Sequence, residues 1–451
     1  MSGSQSVSGP ATQCDPPIAG TPLWTDSAPG VDDETIAGAL PNQIDVLVVG
    51  AGYTGLAAAR ETAAAGRSTL VLDAAAIGAP DGSGCSSRNG GQVAYSIKPT
   101  FAALSRRHGT LLAQRICEEG LRAVANLRDL ATKEHLDCDW RPKGGFHGAH
   151  TPRHFAAMAL AAEQQPAGLE RRIRVVPRAA QAAEIATDFY HGGVVYEDDA
   201  SIHPARLLAA LLARARASGA TIVGRCRVLA LAGAGGDGAA GGFDVLTERG
   251  RVRARRVLIA TNGYTGSLSP WHRRRVIPIG SYQIATERLG PESVKALIPA
   301  GRNVSDSRRV VVYYRPSPDG ERLVFGGRAA LGEQNPLTCV PRLRRMMTEI
   351  FPQLEDVGIS HAWVGWVAYT FDTLPHLGQR GGIYYCMGYC GQGVPLAPYF
   401  GMRIGQQIAG RPEGRTALDG LPFPTRPYYF GEPWFLAPSV FVYRCLDKLG
   451  W

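Results

Sequence analysis

Hydrophobic positions near the start of the chain follow two different patterns. Residues 44–49 form a short, β-branched apolar run, residues 56–65 are alanine-rich with two charged residues, and residues 69–72 are apolar again. Short apolar runs rich in branched side chains are typical of buried strands, and the longer segment between them has the length of a helix. The pattern therefore predicts a strand, a helix and a second strand, the unit from which parallel sheets are built.

The pattern changes near residue 277. Before this point, residues 257–260 form another buried run, followed directly by the polar residues Thr261 and Asn262. After it, apolar and polar positions alternate, which is typical of antiparallel strands with one buried face. The alternating segments are residues 282–286, 310–315 and 322–328. We therefore predict a parallel sheet with polar residues at its carboxyl edge, and a second, antiparallel sheet.

Composition and charge restrict the class of protein. Of the 451 residues, 45% are hydrophobic and 19% are charged, which is typical of a globular protein. The net charge is +9, but no aromatic-interleaved basic tract accompanies it, so we predict no nucleic-acid partner. No apolar run reaches the roughly 18 residues of a membrane span. Residues 1–30 are rich in Ser, Gly and Pro and lack the apolar core of a signal peptide, so we predict a disordered leader.

The cysteines give information about the cellular compartment rather than about a metal-binding site. There are nine, an odd number, and they are scattered along the chain without a C-x-x-C pair. This usage predicts reduced thiols in a cytoplasmic protein and no metal centre.

The turn after the first strand carries the first candidate chemistry. Gly50 makes the tight turn, Gly52 lets the backbone approach a pyrophosphate, and Gly55 lets helix and strand pack closely. Tyr53 and Thr54 lie within this turn, at the N-terminus of the helix, where unsatisfied N–H groups attract phosphate. Asp73 ends the second strand, where its carboxylate can accept hydrogen bonds from ribose hydroxyls. The segment predicts a dinucleotide site and leaves FAD and NAD as alternatives.

A second glycine- and serine-rich segment follows, at residues 82–92. Its small and polar side chains would form a poor strand or helix but a good backbone cradle for a polar ligand. The alternative is an ordinary surface loop. We favour the cradle because binding sites concentrate on the loops that follow such strand and helix units.

Six segments together resemble the D-amino-acid-oxidase-like superfamily of FAD-dependent amine oxidoreductases, and within it the gamma-glutamylputrescine oxidoreductase branch. The resemblance covers nearly all of residues 20–451. It rests on the glycine turn and on Ser87-Arg88-Asn89-Gly90-Gly91-Gln92-Val93, Ile202-His203-Pro204, Ala260-Thr261-Asn262-Gly263-Tyr264, Ser281-Tyr282-Gln283-Ile284-Ala285-Thr286-Glu287 and the tail 363–401.

The resemblance implies FAD as cofactor, with the arginine-asparagine-glycine loop against the flavin and residues 388–394 at its pyrimidine end. The lead-in at residues 78–86 is longer than in the family and introduces Cys85 as a candidate for covalent flavin attachment. The expected FAD-binding residues are Gly50, Gly52, Tyr53, Thr54, Gly55, Asp73, Ser87, Arg88, Asn89, Gly90, Gly91, Gln92, Val228, Thr261, Asn262, Asp372, Gly388, Gly391, Gly393 and Val394.

The fold class implied by the resemblance is α/β. An FAD-binding Rossmann-like domain of the glutathione-reductase type is interleaved with an antiparallel-sheet substrate domain. We expect the FAD-binding domain to comprise residues 40–110, 195–275 and 355–415, and the substrate domain residues 111–194 and 276–354. Residues 416–451 are predicted to form a C-terminal wrap.

The implied chemistry is oxidation of a small-molecule amine. Hydride passes from its α-carbon to the flavin, water hydrolyses the imine to an aldehyde and an amine, and O2 or another acceptor takes the electrons. A gamma-glutamyl substrate carries a carboxylate, and Arg315 and Arg328 are candidates to bind it because an arginine fork matches a carboxylate. For both, the alternative is a solvated strand edge. Tyr314 is a further candidate site residue, although core or pocket wall is its favoured interpretation.

Three other functions stay open from the sequence. One is a flavin dehydrogenase that passes electrons to a carrier, and another is a non-catalytic docking protein built on the same fold. A nicotinamide dehydrogenase is disfavoured because the C-terminal glycine segment would have no role in it. For His203, which precedes Pro204 at a predicted helix start, we favour ordering of the turn over chemistry.

Overall fold

A computed structural model describes residues 17–31, 38–79, 84–95, 97–233, 241–328, 335–448 and 450. The strands are β1 Gln43–Val49, β2 Thr69–Leu72, β3 Gln92–Val93, β4 Gly145–Gly148, β5 Ile173–Val176, β6 Gly193–Tyr196, β7 Ala200–Ser201, β8 Thr221–Val223, β9 Val228–Gly233, β10 Phe243–Thr247, β11 Gly250–Ile259, β12 Ile277–Thr286, β13 Asn303–Asp306, β14 Val312–Pro316, β15 Leu323–Gly327, β16 Ile359–Tyr369, β17 His376–Arg380 and β18 Ile383–Met387.

The α-helices are α1 Tyr53–Ala64, α2 Phe101–His108, α3 Thr110–Thr132, α4 Pro152–Glu163, α5 Pro204–Ala217, α6 Pro270–Arg273, α7 Pro291–Leu297, α8 Pro336–Ile350, α9 Gly393–Ala409 and α10 Leu436–Lys448. Short 3-10 helices lie at Leu23–Ser27, Arg178–Ala183, Asn262–Tyr264, Pro352–Leu354 and Pro412–Gly414. Within the described part of the chain, no helix is both long and apolar enough to cross a membrane.

The first sheet has the order β17-β18-β11-β1-β2-β8, and β10 and β9 extend from β11. Its central strands are parallel, as the buried apolar runs predict: β1 pairs with β2 on one side and with β11 on the other. The carboxyl ends of these three strands therefore lie at one edge, where open α/β sheets bind ligands.

The second sheet has the order β16-β12-β15-β14-β13-β4-β6-β5. It is antiparallel except for the pairing of β13 with β4. A separate hydrophobic cluster, which includes Phe146, Tyr314 and Phe325, fills the space between this sheet and α8. The predicted α/β class with an interleaved antiparallel sheet is thus confirmed.

Close packing of α1 against α9 brings the two ends of the chain together. A Cβ atom on Gly401 would lie 2.4 Å from the carbonyl oxygen of Thr54, and one on Gly405 would lie 2.7 Å from that of Ala58. Only glycine allows the helix backbones to approach this closely. The contact sets the start of α9, at Gly393, near the N-terminus of α1.

The predicted domain boundaries differ from the observed packing at two places. We assigned residues 355–415 to the FAD-binding domain, but β16 pairs along its length with β12 of the second sheet. We assigned residues 111–194 to the substrate domain, but Ile116 and Leu127 of α3 belong to the hydrophobic cluster of the first sheet. The apolar positions of α3 do not indicate which of the two sheets the helix covers.

The predicted disordered leader is wrong for residues 17–30, while residues 1–16 lie outside the described residues. Ala19 forms a β-bridge with His361, and the 3-10 helix Leu23–Ser27 buries Trp24 completely. The indole of Trp24 donates to the carbonyl oxygen of Asn89 at 2.8 Å. One buried tryptophan supplies enough apolar surface to fix a segment of low overall hydrophobicity.

Candidate functional site

A cavity of about 520 Å³ lies at the carboxyl edge of the first sheet and extends to β16 of the second sheet. Residues from both ends of the chain form its walls. Predicted FAD-binding residues among them are Gly50, Gly52, Tyr53, Thr54, Asp73, Asn89, Val228, Thr261, Asn262, Gly391, Gly393 and Val394. Other wall residues include Gly84, Cys85, Ser86, Tyr264, Thr265, Val367, Ala368 and Tyr389.

The glycine turn places the N-terminus of α1 against this cavity. Gly50 has φ +105°, a conformation that favours glycine, and a Cβ on Gly55 would lie 1.9 Å from the carbonyl oxygen of Gly50. Gly52 caps α1 without a side-chain hydrogen bond. The N–H of Tyr53 donates to the Ser86 hydroxyl, while the N–H groups of Thr54 and Gly55 lie in the same first turn, where the helix dipole favours negative charge.

Ser86 is a cavity residue that the sequence interpretation missed. Its hydroxyl accepts a hydrogen bond from the N–H of Tyr53 at 3.0 Å and would lie 2.8 Å from a Cβ on Gly52. Ser86 lies within the predicted cradle, residues 82–92, but the individual FAD-binding residues predicted for this loop began at Ser87, which is buried away from the cavity. Two adjacent serines carry no signal that distinguishes them, so only the structure identifies Ser86.

The Asp73 carboxylate lies at the end of β2 beside the glycine turn. One oxygen accepts from the N–H of Ala51 at 2.8 Å and the other from that of Ala75 at 3.0 Å. Burial raises the pKa of Asp73, while these backbone hydrogen bonds favour its charged form. Each carboxylate oxygen has further acceptor capacity. Asp73 therefore fixes the turn and can still accept hydrogen bonds from a ribose.

The loop that follows contacts the second sheet as well as the cavity. Only Asn89 of the predicted residues 87–92 lines the cavity, and its side chain donates to the carbonyl oxygens of Cys85 and Ser86. The Arg88 carbonyl accepts from the side chains of Gln283, at 2.6 Å, and Trp363, at 3.0 Å.

The remaining members of this loop hold its shape. Gln92 donates to the carbonyl oxygens of Val304 and Tyr314. A Cβ on Gly90 would lie 2.8 Å from the ring of Tyr313, and one on Gly91 would lie 2.3 Å from the carbonyl oxygen of Ile202. The structure thus gives Ser87, Arg88 and residues 90–92 positions behind the cavity wall, where they join the two sheets.

Cys85 lines the cavity next to the second sheet. A Cβ atom added at Gly365 of β16 would lie 3.0 Å from the Cys85 sulfur. Burial raises the pKa of the Cys85 thiol to about 12. The thiol is therefore held in its neutral form, which is a poor nucleophile.

The C-terminal glycine segment is joined to two earlier parts of the chain. The N–H of Gly388 donates to Oδ1 of Asn262 at 2.9 Å, and the hydroxyl of Tyr389 lies 2.6 Å from that of Thr54. Gly388 thus supports the segment, and Gly391, Gly393 and Val394 form the wall. Tyr389 lies within the predicted segment 388–394 but was not among the individual FAD-binding residues predicted there.

Asp372 lies behind this segment and does not line the cavity. Its carboxylate is 3.0 Å from Nε2 of His376 and accepts from the N–H of Leu374 at 3.3 Å. Burial acts to raise the pKa of Asp372, but His376 holds it below its ordinary value. The predicted cofactor contact of Asp372 is therefore corrected to a structural role in the turn before β17.

Arg315 is not available to a substrate carboxylate, so this prediction is corrected. It is only 3% exposed, and its guanidinium donates to the carbonyl oxygens of Ile202 at 2.8 Å, Gly91 at 3.1 Å and Pro316 at 3.1 Å. Burial lowers the pKa of Arg315 to about 10. The residue links β14 to the loop before β3.

Tyr314 lies in the hydrophobic cluster between the second sheet and α8 and does not line the cavity, so its assignment to the site is also corrected. It is fully buried, stacks on Phe325 and bonds through its hydroxyl to Tyr190 at 3.0 Å. Its neighbour Tyr313 instead faces Gly90, as the alternation of side chains along a strand requires. Arg328, the third candidate, has its guanidinium carbon 5.4 Å from the ring centre of Tyr369.

The described residues fit FAD at several points of the cavity. The N-terminus of α1 suits the pyrophosphate, Asp73 suits a ribose, and Val228 at the start of β9 belongs to the same wall. The walls also include Asn262 and, from β16, Val367 and Ala368, so a ligand in the cavity has access to both sheets.

Comparison with known proteins gives the same assignment. Residues 45–407 match the sequence model of the DAO family, described as FAD dependent oxidoreductase. The chain is 32% identical over 391 residues to the probable oxidoreductase OrdL of Rhizobium meliloti (strain 1021), covering 85% of this chain and 87% of that one. It is 30% identical over 411 residues to the gamma-glutamylputrescine oxidoreductase of Escherichia coli (strain K12), covering 90% and 93%.

The fold also matches a solved structure. Glycine oxidase from Geobacillus kaustophilus superposes with a TM-score of 0.69 at 18% identity, covering 86% of this chain and 100% of that one. Together with the glycine turn, Asp73 and the cavity between the two sheets, these matches confirm the predicted family and its cofactor. The chain belongs to the DAO family of FAD-dependent oxidoreductases.

Proposed function

We propose that this protein oxidises the carbon–nitrogen bond of a small amine and that a gamma-glutamylated polyamine, or a related amino compound, is its substrate. Hydride leaves the α-carbon of the amine, and water then hydrolyses the imine to an aldehyde and an amine. The observation that carries the proposal is the cavity, whose walls join the dinucleotide end of the first sheet to the antiparallel sheet. The named function of the Escherichia coli relative supports the substrate class.

FAD would be held at one end by Gly50, Gly52, the N-terminus of α1 and Asp73, and at the other by Asn262 and the wall residues after Gly388. When bound, it supplies a two-electron acceptor for the hydride and passes the electrons to O2, giving H2O2. The protein's contribution is to position the donor carbon and to exclude water from it.

Residues at the second sheet are suited to positioning the donor carbon and excluding water from it. Val367 and Ala368 give an apolar wall, and the Tyr313 hydroxyl bonds to Ser281 at 2.7 Å. Burial raises the pKa of Tyr313 well above its ordinary value, so this hydroxyl stays protonated.

Two alternatives follow from the same fold. A dehydrogenase would pass electrons to a carrier rather than to O2, and a docking protein would oxidise nothing. Anaerobic mixing of the FAD-loaded protein with a panel of amines separates them. Bleaching of the flavin absorbance by an amine supports the enzyme, and rapid recovery in air, with H2O2 formed, supports the oxidase. Slow recovery in air selects the dehydrogenase.

We also propose the cytoplasm as the location of this enzyme. The eight described cysteines carry free thiols, which supports a reducing compartment. Fractionation of the native host, with the enzyme recovered outside the soluble cell extract, would contradict this proposal.

A further inference from the structure

Two positive side chains meet at one tyrosine beside the cavity. The Lys98 ammonium lies 3.0 Å from the hydroxyl of Tyr369 and 5.0 Å from the centre of its ring. The Arg328 guanidinium carbon lies 5.4 Å from the same ring centre. Because the two residues come from separate segments of the chain, only the fold brings them to Tyr369. We call Lys98, Arg328 and Tyr369 the cationic cluster.

The cationic cluster is continuous with the cavity wall. The Tyr369 hydroxyl would lie 3.5 Å from a Cβ on Gly391, which lines the cavity. The Lys98 ammonium is 3.5 Å from the carbonyl oxygen of Cys390, the residue before Gly391. A ligand in the cavity that extends past Gly391 would therefore reach these positive groups.

The charge of the cluster has no counterpart in the described part of the chain. No described carboxylate lies within salt-bridge distance of Lys98 or Arg328, whereas the partly buried Arg171, Arg302 and Arg308 are each paired with an acid. Arg444 of α10 adds a third positive residue, since its guanidinium donates to the Arg328 carbonyl at 3.2 Å. Clustered positive charge beside a low-dielectric cleft attracts anions.

We propose that Lys98 and Arg328 bind a carboxylate carried by the substrate at a distance from the oxidised amine, with the Tyr369 hydroxyl as an additional donor. This inference rests on the proposed function and specifies the substrate class as amino compounds with a remote carboxylate. An arginine fork, an ammonium and a phenol together offer the donors that a carboxylate accepts. Arg315, the other arginine considered for this role, is occupied by backbone carbonyls.

The first test measures binding without turnover. Calorimetry of the FAD-loaded protein compares hexanoate with hexanamide, which has the same shape and no charge. We expect hexanoate to bind at least about tenfold more tightly, and Lys98→Met and Arg328→Gln each to remove about tenfold of that affinity, as expected for charge-assisted hydrogen bonds. Lys295→Met on α7 and Arg345→Gln on α8, both exposed, are the matched controls.

The second test measures discrimination during flavin reduction. Gamma-glutamylputrescine is compared anaerobically with its carboxamide, in which the carboxylate is neutral. The two cluster variants should raise the dissociation constant of the carboxylate compound about tenfold and leave that of the carboxamide unchanged. Tyr369→Phe, which preserves packing, should give a smaller change in the same direction.

The outcomes of these tests separate the carboxylate-site proposal from the proposed amine oxidoreductase function. Equal binding of hexanoate and hexanamide, or equal losses in the cluster and control variants, would overturn the carboxylate site. In another outcome, amines bleach the flavin while the cluster variants still distinguish the carboxylate compound from its carboxamide as the parent does. That result would contradict the carboxylate site and would still support the amine oxidoreductase. If no amine bleaches the flavin, the proposed function fails, and the hexanoate measurement still decides whether the cluster binds carboxylates.

Discussion

The hydroxyls of Tyr389 and Thr54 lie 2.6 Å apart and are both buried, although 335 positions separate the residues in the sequence. Thr54 belongs to the first turn of α1, and Tyr389 belongs to the C-terminal glycine segment. Both line the cavity. One hydrogen bond thus joins the two parts of the chain that would hold opposite sides of the cofactor.

Tyr389→Phe tests this connection. The substitution keeps the ring but leaves the Thr54 hydroxyl without its partner, which should lower the free energy of unfolding by about 1–2 kcal/mol. The protein should also release FAD more readily on dialysis. Thermal unfolding and flavin retention are the measurements, with Tyr384→Phe, a partly exposed tyrosine of β18, as the control. Unchanged retention would show that the connection is dispensable.

Asp73→Ala should impair both the fold of the glycine turn and cofactor retention. The N–H groups of Ala51 and Ala75 would lose their acceptor, at a cost of about 1–3 kcal/mol. Asp73→Asn retains one acceptor oxygen and should lose less FAD. Asp244→Ala, an exposed position on β10 of the same sheet, is the control. An Asp73→Ala protein that purifies with a full complement of FAD would contradict the ribose assignment.

Arg315→Met distinguishes a structural from a substrate-binding arginine. Because its guanidinium donates to the carbonyls of Gly91 and Ile202, removal should destabilise the protein by about 2–3 kcal/mol. The KM for carboxylated and neutral amines should change by the same factor. Arg309→Met, an exposed position before β14, is the control. A selective rise in KM for the carboxylated amine, with normal stability, would restore Arg315 to the substrate site.

His203 should make the protein sensitive to mild acid. Nδ1 accepts from the N–H of Arg206 at the start of α5, and burial lowers the pKa of His203 from 6.5 to about 4. Below pH 6.5 the unfolded chain gains a proton that the folded protein resists, so stability falls as the pH drops from 6.5 towards 4. Full protonation would cost on the order of 3 kcal/mol.

His203→Asn keeps a capping acceptor that does not titrate. Its free energy of unfolding should therefore depend less on pH between 6.5 and 4, as measured by urea unfolding at several pH values. His135→Asn, at an exposed position, should keep the parent's pH dependence. Identical pH profiles for the His203→Asn variant and the parent would contradict the account. The structure confirms the prediction that His203 orders the turn before Pro204, and it does so as the N-cap of α5.

The sequence identified the parts of the site in which the local backbone conformation requires a particular residue type. Gly50, Gly52 and Gly55 surround one turn, and Asp73 ends the adjacent strand, so their contacts are local. Ser86 and Tyr389 depend on contacts between distant segments, and no local pattern distinguishes them from their neighbours.

In the substrate sheet, the sequence did not indicate which face of a strand each side chain lies on. Tyr313 and Tyr314 are adjacent and alike, and a choice between them requires the register of β14 against β15. Arg315 illustrates a second limit. An arginine that follows an apolar strand resembles a ligand-binding residue in the sequence, while its backbone partners, Gly91 and Ile202, lie more than a hundred positions away.

The most direct test of the central claim is anaerobic titration of the FAD-loaded protein with amines, with absorbance recorded in the flavin band. We predict that at least one of the amines tested bleaches the flavin, and that gamma-glutamylputrescine is one that does. For each flavin reduced, one aldehyde molecule should be released. Purified protein that binds no FAD, or FAD-loaded protein that no amine bleaches, would contradict the assignment of this chain as an amine oxidoreductase.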